Sequence, residues 1–359
     1  MLYTLPFSSV LFYQHERNKS TVTLRPWLAV TCLLLAIPAP SLARSLYQEP
    51  EIRSLHTRLR APIEFWKRVY AVYDRNDILI HDARRLEVVY EVLSFPINAR
   101  LERIALERVV ERRLEYYREL LASLAGKKLA FDYLTGEQIR LVGLLAGAAD
   151  PVRIEAARNN LRWQRGLREG VARAVERSAV YRKIMVPLLR AQHVPEELVN
   201  LVFVESMFDP TAVSPAGAVG LWQITRTGAS GLLRVDHRVD ERRHPLKSTK
   251  AAAGILARNY RQLGSWPLAI TAYNTGVGGL RDAARSAGSR DLAEIIERAT
   301  APAFGFASRN FYAEFVAIDQ VYRERAQYFG PLAQSGSKGF PAGLFAFEQA
   351  LPSTSPLTD

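Results

Sequence analysis

The chain has 359 residues and a formal net charge of +12, with 48% hydrophobic and 23% charged residues. This composition is that of a globular protein, which excludes an intrinsically disordered chain, and the length fits about two domains. The positive charge favours polyanionic partners such as nucleic acid, anionic membrane or acidic cell-wall polymer, and charge alone does not choose among them. Cys32 is the only cysteine, and the six histidines lack paired ligand spacing, so we expect no disulfide and no metal site.

The amino terminus has the pattern of a secretory signal. Arg25 precedes an apolar run over residues 27–37, and the small-residue sequence Ser41-Leu42-Ala43 follows it. We expect a signal peptide over residues 1–43, with a start that is over-extended, cleavage after about Ala43 and export to the periplasm. Lipidation is not expected, because the residues around Cys32 do not fit a lipoprotein signal. An uncleaved membrane anchor is the alternative, although the run is short for a membrane span.

Residues 44–190 form an arginine-rich, mostly helical amino-terminal region. Residues 101–124 have helical periodicity, Thr135 and Gln138 predict a capping box, and Asp150-Pro151 opens a long helical segment. Residues 69–73 and 88–93 are rich in β-prone side chains, and residues 74–77 between them favour a turn. This pattern is compatible with a small β-hairpin.

The arginines of this region have acidic neighbours, as in Glu102-Arg103 and Glu107-Arg108. No aromatic platforms lie among them, and no nucleic-acid-binding module is recognisable, so we expect a solvated helix face and no nucleic-acid partner. The charge that remains after residues 1–43, a net +10, is available for another polyanion.

Glu205 ends a nearly all-apolar stretch over residues 198–204. We predict a helix that begins at Pro195, ends at about Met207 and holds Glu205 in its last turn. Burial and the negative end of the helix dipole both disfavour the charged carboxylate and raise its pKa. A general acid near neutral pH needs this property to protonate a leaving-group oxygen.

After Glu205 the sequence predicts helices and no strand. Ser248 and Thr249 are placed to cap the first of these helices, and the glycines at 276, 278 and 279 predict a tight turn after Asn274. Residues 326–359 are expected to be a flexible tail. The predicted helices cover residues 251–263, 267–274, 291–299 and 311–325.

Several motifs occur in a fixed order around Glu205: residues 204–208 (VESMF), 212–223 (AVSPAGAVGLWQ), 239–245 (VDERRHP) and 269–276 (AITAYNTG). This segment, from about Tyr181 to Ala317, resembles the lytic transglycosylases with a goose-lysozyme-like catalytic domain, nearest to the membrane-bound type D. The resemblance implies a mainly α fold, with a lysozyme-like catalytic domain over residues 191–325 behind the helical amino-terminal region. No carboxy-terminal peptidoglycan-binding module is recognisable.

The resemblance also implies roles for particular residues. Glu205 would be the catalytic acid and base, and Ser206 would fix its carboxyl or contact the sugar. Gln223, Tyr273 and Asn274 would bind the glycan in the cleft. For Trp222 and Met207 we expect core packing instead. The sequence departs from the family where an aromatic hydroxyl is expected in the last helix, because Phe311 occupies that position and Tyr312 follows it.

The number of carboxylates in the cleft separates the reaction types. Hydrolysing glycosidases generally pair two carboxylates across the bond. Asp209 is expected to end the helix, and Asp240 and Glu241 to form structural ion pairs, so no partner for Glu205 is found. The resemblance then implies cleavage of the MurNAc–GlcNAc β-1,4 bond of peptidoglycan with 1,6-anhydro ends, without cofactor. A hydrolytic muramidase of the same fold and an inactive murein-binding scaffold are the alternatives. The intact set of four site residues, Glu205 included, argues against the scaffold.

Overall fold

The computed structural model describes residues 46–95, 103–125, 133–145 and 150–330. The predicted signal peptide, Cys32 and residues 331–359 of the predicted tail lie outside these ranges. The described residues form twelve α-helices and three strands: α1 (Pro50–Arg58), α2 (Arg60–Ala71), β1 (Asp77–Asp82), β2 (Val89–Ser94), α3 (Arg103–Leu124), α4 (Gly136–Leu144), α5 (Pro151–Asn159), β3 (Leu161–Arg165), α6 (Arg168–Arg190), α7 (Leu201–Ser206), α8 (Pro245–Leu263), α9 (Trp266–Ala287), α10 (Leu292–Arg298), α11 (Phe306–Arg323) and α12 (Arg325–Phe329). The predicted mainly α fold is confirmed.

The predicted hairpin exists, but its first strand was placed wrongly. Val69 and Tyr70 belong to the end of α2, where they extend the buried apolar face that Ile63 and Trp66 begin. The first strand is β1 instead, and it pairs antiparallel with β2 across a bulge between Ile80 and His81. The apolar periodicity of the helix therefore decides the structure of residues 69–71 against their local β propensity.

The third strand was not predicted at all. Residues 150–165 were expected to continue as helix, whereas α5 ends at Asn159 and β3 pairs antiparallel with β1, giving the strand order β2-β1-β3. In β3 only Gln164 is fully buried, so the alternation of apolar and polar residues that indicates a strand is absent. Pairing with β1 defines this edge strand.

Helix ends follow the local signals in most places. The capping box of Thr135 and Gln138 and the cap of Asp150 are confirmed. Helix α8, however, begins at Pro245 rather than after Ser248 and Thr249, whose hydroxyls donate to carbonyls of its first turn instead of capping it. Likewise α11 begins at Phe306, earlier than predicted.

The described residues form two large hydrophobic cores and a small cluster of Ile78, Leu106 and Val110. The larger core joins α1, α2 and α6 to α7–α11, so it includes residues on both sides of the predicted boundary at 190. The smaller core lies between the sheet and α3, α4 and α5. Among the described residues, no helix is both long and apolar enough to cross a membrane. Residues 191–325 are thus packed directly against α1, α2 and α6 in the larger core.

Candidate active site

Glu205 lies in the last turn of α7, as predicted, after a 3₁₀ helix formed by residues Glu196–Asn200. The residue is 7% exposed. Burial raises the pKa of its carboxyl to about 8, and the negative charge of Glu314 adds to this effect. Glu205 therefore stays protonated at neutral pH, which is the state that a general acid requires.

The chain leaves α7 through two left-handed residues that are not glycine, Met207 (φ 52°) and Phe208 (φ 56°). Such backbone is strained and persists only where the surroundings hold it. Arg177 donates to the Met207 carbonyl at 2.5 Å, and the ring of Phe208 packs on Phe203 at 4.7 Å between centroids. Asp209 accepts from the amide and the hydroxyl of Thr211, so its carboxylate serves the turn that follows the helix.

Ser206 joins α7 to the loop that carries Gln223. Its hydroxyl is almost fully buried and donates to the carbonyl oxygen of Leu221 at 2.8 Å. Trp222, next in the loop, is buried in the core and donates from Nε1 to Thr249 at 2.8 Å. The two hydrogen bonds fix the loop between α7 and α8.

Gly220 and Arg242 determine the shape of this loop. Gly220 has φ 77°, and a Cβ there would lie 2.5 Å from the carbonyl oxygen of Arg242. The buried Arg242 guanidinium donates to the carbonyl of Gly217 at 2.8 Å and pairs with both carboxylate oxygens of Asp240 at 2.8 and 2.7 Å. The predicted ion pair of Asp240 with its neighbour Arg242 is therefore confirmed, whereas Glu241 pairs with Lys247 rather than with the neighbouring Arg243.

Gln223 is left-handed (φ 46°) and 8% exposed. Its Nε2 donates to the carbonyl of Gly220 at 2.8 Å, while its buried Oε1 has no hydrogen-bond partner among the described residues. An unsatisfied buried acceptor is costly, and such groups cluster at sites that bind ligands. The side chain is thus anchored by its nitrogen and retains an acceptor for a substrate N–H or O–H group.

Tyr273 and Asn274 come from α9, one turn before the kink at Gly276 (φ 75°). The Tyr273 hydroxyl donates to the carbonyl of Trp222 at 2.8 Å. Burial, with a contribution from the charge of Glu205, raises the pKa of Tyr273 well above its usual value, which places the two groups within electrostatic range. Asn274 accepts from Ser308 of α11 at 3.0 Å through Oδ1.

The aromatic pair in α11 is fully buried. Neither Phe311 nor Tyr312 exposes its side chain, and the Tyr312 hydroxyl is hydrogen-bonded to Nε2 of His56 in α1 at 3.0 Å. Both rings therefore belong to the core that joins α11 to the amino-terminal helices.

Glu314 of α11 is the acid that sequence reasoning missed. Burial raises the pKa of its carboxyl to about 8, and the Tyr70 hydroxyl and the charge of Arg162 oppose this shift. A usable signal was present, because Glu314 interrupts the apolar run of residues 311–318 just as Glu205 ends that of residues 198–204. Because Glu314 lies far from Glu205 along the chain, proximity in the sequence does not indicate it.

The described residues contain no group of three histidine, cysteine or acidic side chains that could hold a metal ion. The site brings together one protonated carboxyl, that of Glu205, and the side-chain amides of Gln223 and Asn274. Such groups suit proton transfer to a neutral, hydroxyl-rich ligand.

Comparison with known proteins identifies the segment that carries this site. Residues 184–296 match the family described as Transglycosylase SLT domain. Over 92 residues the chain is 41% identical to membrane-bound lytic murein transglycosylase D of Escherichia coli K12, which covers 25% of this chain and 20% of that protein. It is 34% identical over 94 residues to membrane-bound lytic murein transglycosylase F of Alcanivorax borkumensis, covering 24% and 19% of the two chains.

The matched part of the chain thus spans about a fifth of the length of these curated relatives. The family match over residues 184–296 includes the predicted site residues Glu205, Gln223, Tyr273 and Asn274. Tyr70, Arg162 and Glu314 lie outside it. The chain carries a Transglycosylase SLT domain, homologous over this segment to the membrane-bound lytic murein transglycosylases D and F.

Proposed function

We propose that the protein is a lytic transglycosylase that cleaves the MurNAc–GlcNAc β-1,4 bond of peptidoglycan and leaves 1,6-anhydro-MurNAc ends. The observation that carries the proposal is the buried carboxyl of Glu205, which lies within the SLT domain and has a pKa raised to about 8. Residues 191–325 perform the chemistry. The helices of residues 44–190 support it from one side.

In the proposed reaction Glu205 protonates the oxygen that bridges the two sugars. The resulting carboxylate is unstable in its apolar surroundings, and it therefore becomes a base for the C6 hydroxyl of the same sugar. Attack of that oxygen on the anomeric carbon of MurNAc closes the anhydro ring as the bond from this carbon to the bridging oxygen breaks. The GlcNAc leaves with the proton that Glu205 gave to the bridging oxygen, the proton of the C6 hydroxyl passes to Glu205, and no water is needed. No cofactor takes part.

The remaining site residues position the glycan and the acid. Gln223 offers its free Oε1 to an N-acetyl or hydroxyl group, and Asn274 binds sugar through its amide N–H groups, since its oxygen accepts from Ser308. Tyr273 lines the cleft beside Glu205 and holds the loop at Trp222. Ser206 fixes the same loop at Leu221 and so sets the orientation of α7.

We place the protein in the bacterial envelope, exported to the periplasm by the signal over residues 1–43. The peptide carboxylates of peptidoglycan suit the net +10 of the exported chain. Amino-terminal sequencing of the exported protein tests this placement. A start near Arg44 is expected, and a chain that retains residues 33–35 would instead be anchored through an uncleaved signal.

A hydrolytic muramidase is the second candidate, and Glu314 is the observation that favours it. Hydrolysing glycosidases use a second carboxylate to activate water or to attack the sugar. Glu314 is half-buried, and its carboxyl already accepts a hydrogen bond from Tyr70. Because this carboxyl is already engaged by a side chain of α2, we rank transglycosylation above hydrolysis.

Digestion of purified peptidoglycan in oxygen-18 water separates the two reactions. Transglycosylation places no label in the sugar and gives muropeptide ends about 18 mass units lighter than hydrolysed ends, since no water is added. Mass spectrometry of the soluble products measures both properties, with Glu205→Gln as the inactive control. Label at new reducing ends without anhydro products would establish the muramidase instead.

A further inference from the structure

Asp319 of α11 is a buried acid that joins three parts of the chain. Its Oδ1 accepts a hydrogen bond from Nδ2 of Asn200 at 2.6 Å. Its Oδ2 accepts from the hydroxyl of Tyr47 at 2.6 Å and pairs with Nε of Arg323, one turn later in α11, at 2.8 Å. These donors together compensate for the burial of the carboxylate, which can only accept hydrogen bonds.

Asn200 is the residue from which the helix of Glu205 starts. It ends the 3₁₀ helix of residues 196–200, which packs against α6 and α11, and it directly precedes α7. The side chain of Asn200 is buried and makes no capping bond to α7. Its Oδ1 accepts from Arg182 of α6 instead, while its Nδ2 donates to Asp319. Both ends of the amide therefore hold the start of α7 between α6 and α11.

Helix α7 is short enough for its start to set the position of Glu205. It has six residues, and a rise of about 1.5 Å per residue places Glu205 about 7 Å along the axis from Asn200. The far end of the helix is held by Ser206, which donates to the Leu221 carbonyl, and by Arg177, which donates to the Met207 carbonyl. A displacement at the start of α7 would consequently move the Glu205 carboxyl.

Tyr47 brings the amino-terminal segment into this network. It lies in a 3₁₀ turn, Leu46–Gln48, that precedes α1. The guanidinium of Arg323 lies 4.4 Å from the centroid of the Tyr47 ring, and the ring of His56 in α1 meets it edge-on at 5.5 Å. These two contacts fix the ring and so the direction in which its hydroxyl donates.

We propose that Tyr47 is a positioning residue for Glu205 and that it acts through Asp319 and Asn200. The proposal rests on the proposed function, since the orientation of α7 affects turnover only if Glu205 transfers the proton. The family match includes Asn200 but neither Tyr47 nor Asp319, so residues outside the matched segment complete the support of this helix. The segment just after the predicted signal peptide thereby gains a role in the activity.

The kinetic test uses Tyr47→Phe, which keeps the ring and removes only the hydroxyl. On solubilised peptidoglycan strands kcat is expected to fall about tenfold, because a small misplacement of the acid is costly in the transition state, while KM changes by less than about twofold. In an Asn200→Ala background the same substitution is expected to have no further effect on kcat, since the connection to α7 is already broken. Melting temperatures check that each variant is folded at the assay temperature.

Tyr312→Phe is the matched control. It also removes one tyrosine hydroxyl between α11 and the amino-terminal segment, but this hydroxyl is hydrogen-bonded to His56 and makes no hydrogen bond to Asp319. It is expected to leave kcat unchanged. Equal losses of kcat in Tyr47→Phe and Tyr312→Phe, or losses that add in the variant with both Tyr47→Phe and Asn200→Ala, would reduce Tyr47 to a structural role.

The NMR signal of the Glu205 carboxyl gives a readout that does not need turnover. Full-length protein is labelled with ¹³C at its glutamate carboxyls, and the Glu205 signal is assigned by its absence in Glu205→Gln. The signal is expected to shift in Tyr47→Phe and not in Tyr312→Phe, and an unmoved signal in Tyr47→Phe would overturn the proposal. If the signal shifts but the wild-type protein cleaves no peptidoglycan, the connection from Tyr47 to Glu205 stands and the proposed function fails.

Discussion

The two glutamates with raised pKa values, Glu205 and Glu314, have opposite structural settings. Glu205 ends a six-residue helix, and the chain next to it turns through two left-handed residues into a loop braced by Arg242. Glu314 lies in the middle of an 18-residue helix and meets groups from α2 and β3. Loss of water around each carboxyl raises its pKa to about 8, although Glu205 is almost fully buried and Glu314 is only half-buried.

The difference shows that equal pKa values do not imply equal surroundings. Glu205 lies beside the loop that carries Gln223 and the turn of α9 that carries Tyr273 and Asn274. Glu314 instead meets the hydroxyl of Tyr70 and the charge of Arg162, both of which favour its ionised form. Under the proposed function, only Glu205 is placed to donate a proton to a glycan. Four substitutions sharpen or break this comparison.

The largest effect is expected for Glu205→Gln. The near-isosteric amide cannot transfer the proton, so cleavage of peptidoglycan should fall by roughly a thousandfold or more. The melting temperature and sedimentation with insoluble peptidoglycan check that folding and binding persist. Turnover near the wild-type level would remove Glu205 from the mechanism and end the comparison of the two acids.

A large loss of stability is expected for Gly220→Ala, which tests whether the loop beside Glu205 is held by Arg242. A Cβ at 2.5 Å from the Arg242 carbonyl cannot be accommodated, and φ is positive, so the free energy of unfolding should fall by about 3 kcal/mol. Gly217→Ala is the matched control, with φ 74° but open space around the new methyl group, and should cost about 1 kcal/mol. Denaturant unfolding measures both, and equal losses would show that the close approach is unimportant.

A gain of stability is expected for either acid replaced by glutamine at pH 8. A folded-state pKa of about 8, above the usual 4.5, means that each group binds a proton in the folded state that the unfolded state has released. The contribution of this bound proton to the free energy of unfolding is fully present below pH 4.5 and is lost as the pH rises through 8. Glu205→Gln and Glu314→Gln should therefore raise the free energy of unfolding by about 1–3 kcal/mol at pH 8 and hardly at pH 4.

Unfolding measured at the two pH values checks this sign. The same stabilisation at pH 4 and pH 8 would show that the gain comes from packing rather than from the lost ionisation. A loss of stability at pH 8 would mean that the carboxylates are better solvated in the folded protein than their burial indicates.

The smallest effect is expected for Tyr70→Phe. The hydrogen bond from Tyr70 to Glu314 is long, at 3.5 Å. Its removal should therefore lower the free energy of unfolding by at most about 1 kcal/mol and raise the pKa of Glu314 slightly. Tyr90→Phe is the control, because the buried Tyr90 hydroxyl has no partner among the described residues and its loss should be neutral or stabilising. If the pKa of Glu314, measured by NMR titration of ¹³C-labelled carboxyls, is unchanged in Tyr70→Phe, then the Tyr70 hydroxyl does not stabilise the Glu314 carboxylate.

Much of the SLT region could be predicted from local patterns. Glu205 in the last turn of a helix, the left-handed Gly264 that ends α8 and the break after Asn274 all follow from signals within a few residues. The roles of Ser206, Gln223, Tyr273 and Asn274 remain predictions. The hydroxyls of Ser206 and Tyr273 both donate to backbone carbonyls of the loop, those of Leu221 and Trp222.

The sequence by itself determined the mainly α fold, the buried acid and the order of the motifs around it, because periodicity, capping and an acid in an apolar run act over short distances along the chain. Only the tertiary structure decided the edge strand β3, the assignment of residues 69–71 to α2 and the meeting of Glu314 with Tyr70 and Arg162. These features depend on pairing and packing between segments far apart in the chain. Local propensity contains no information about such partners.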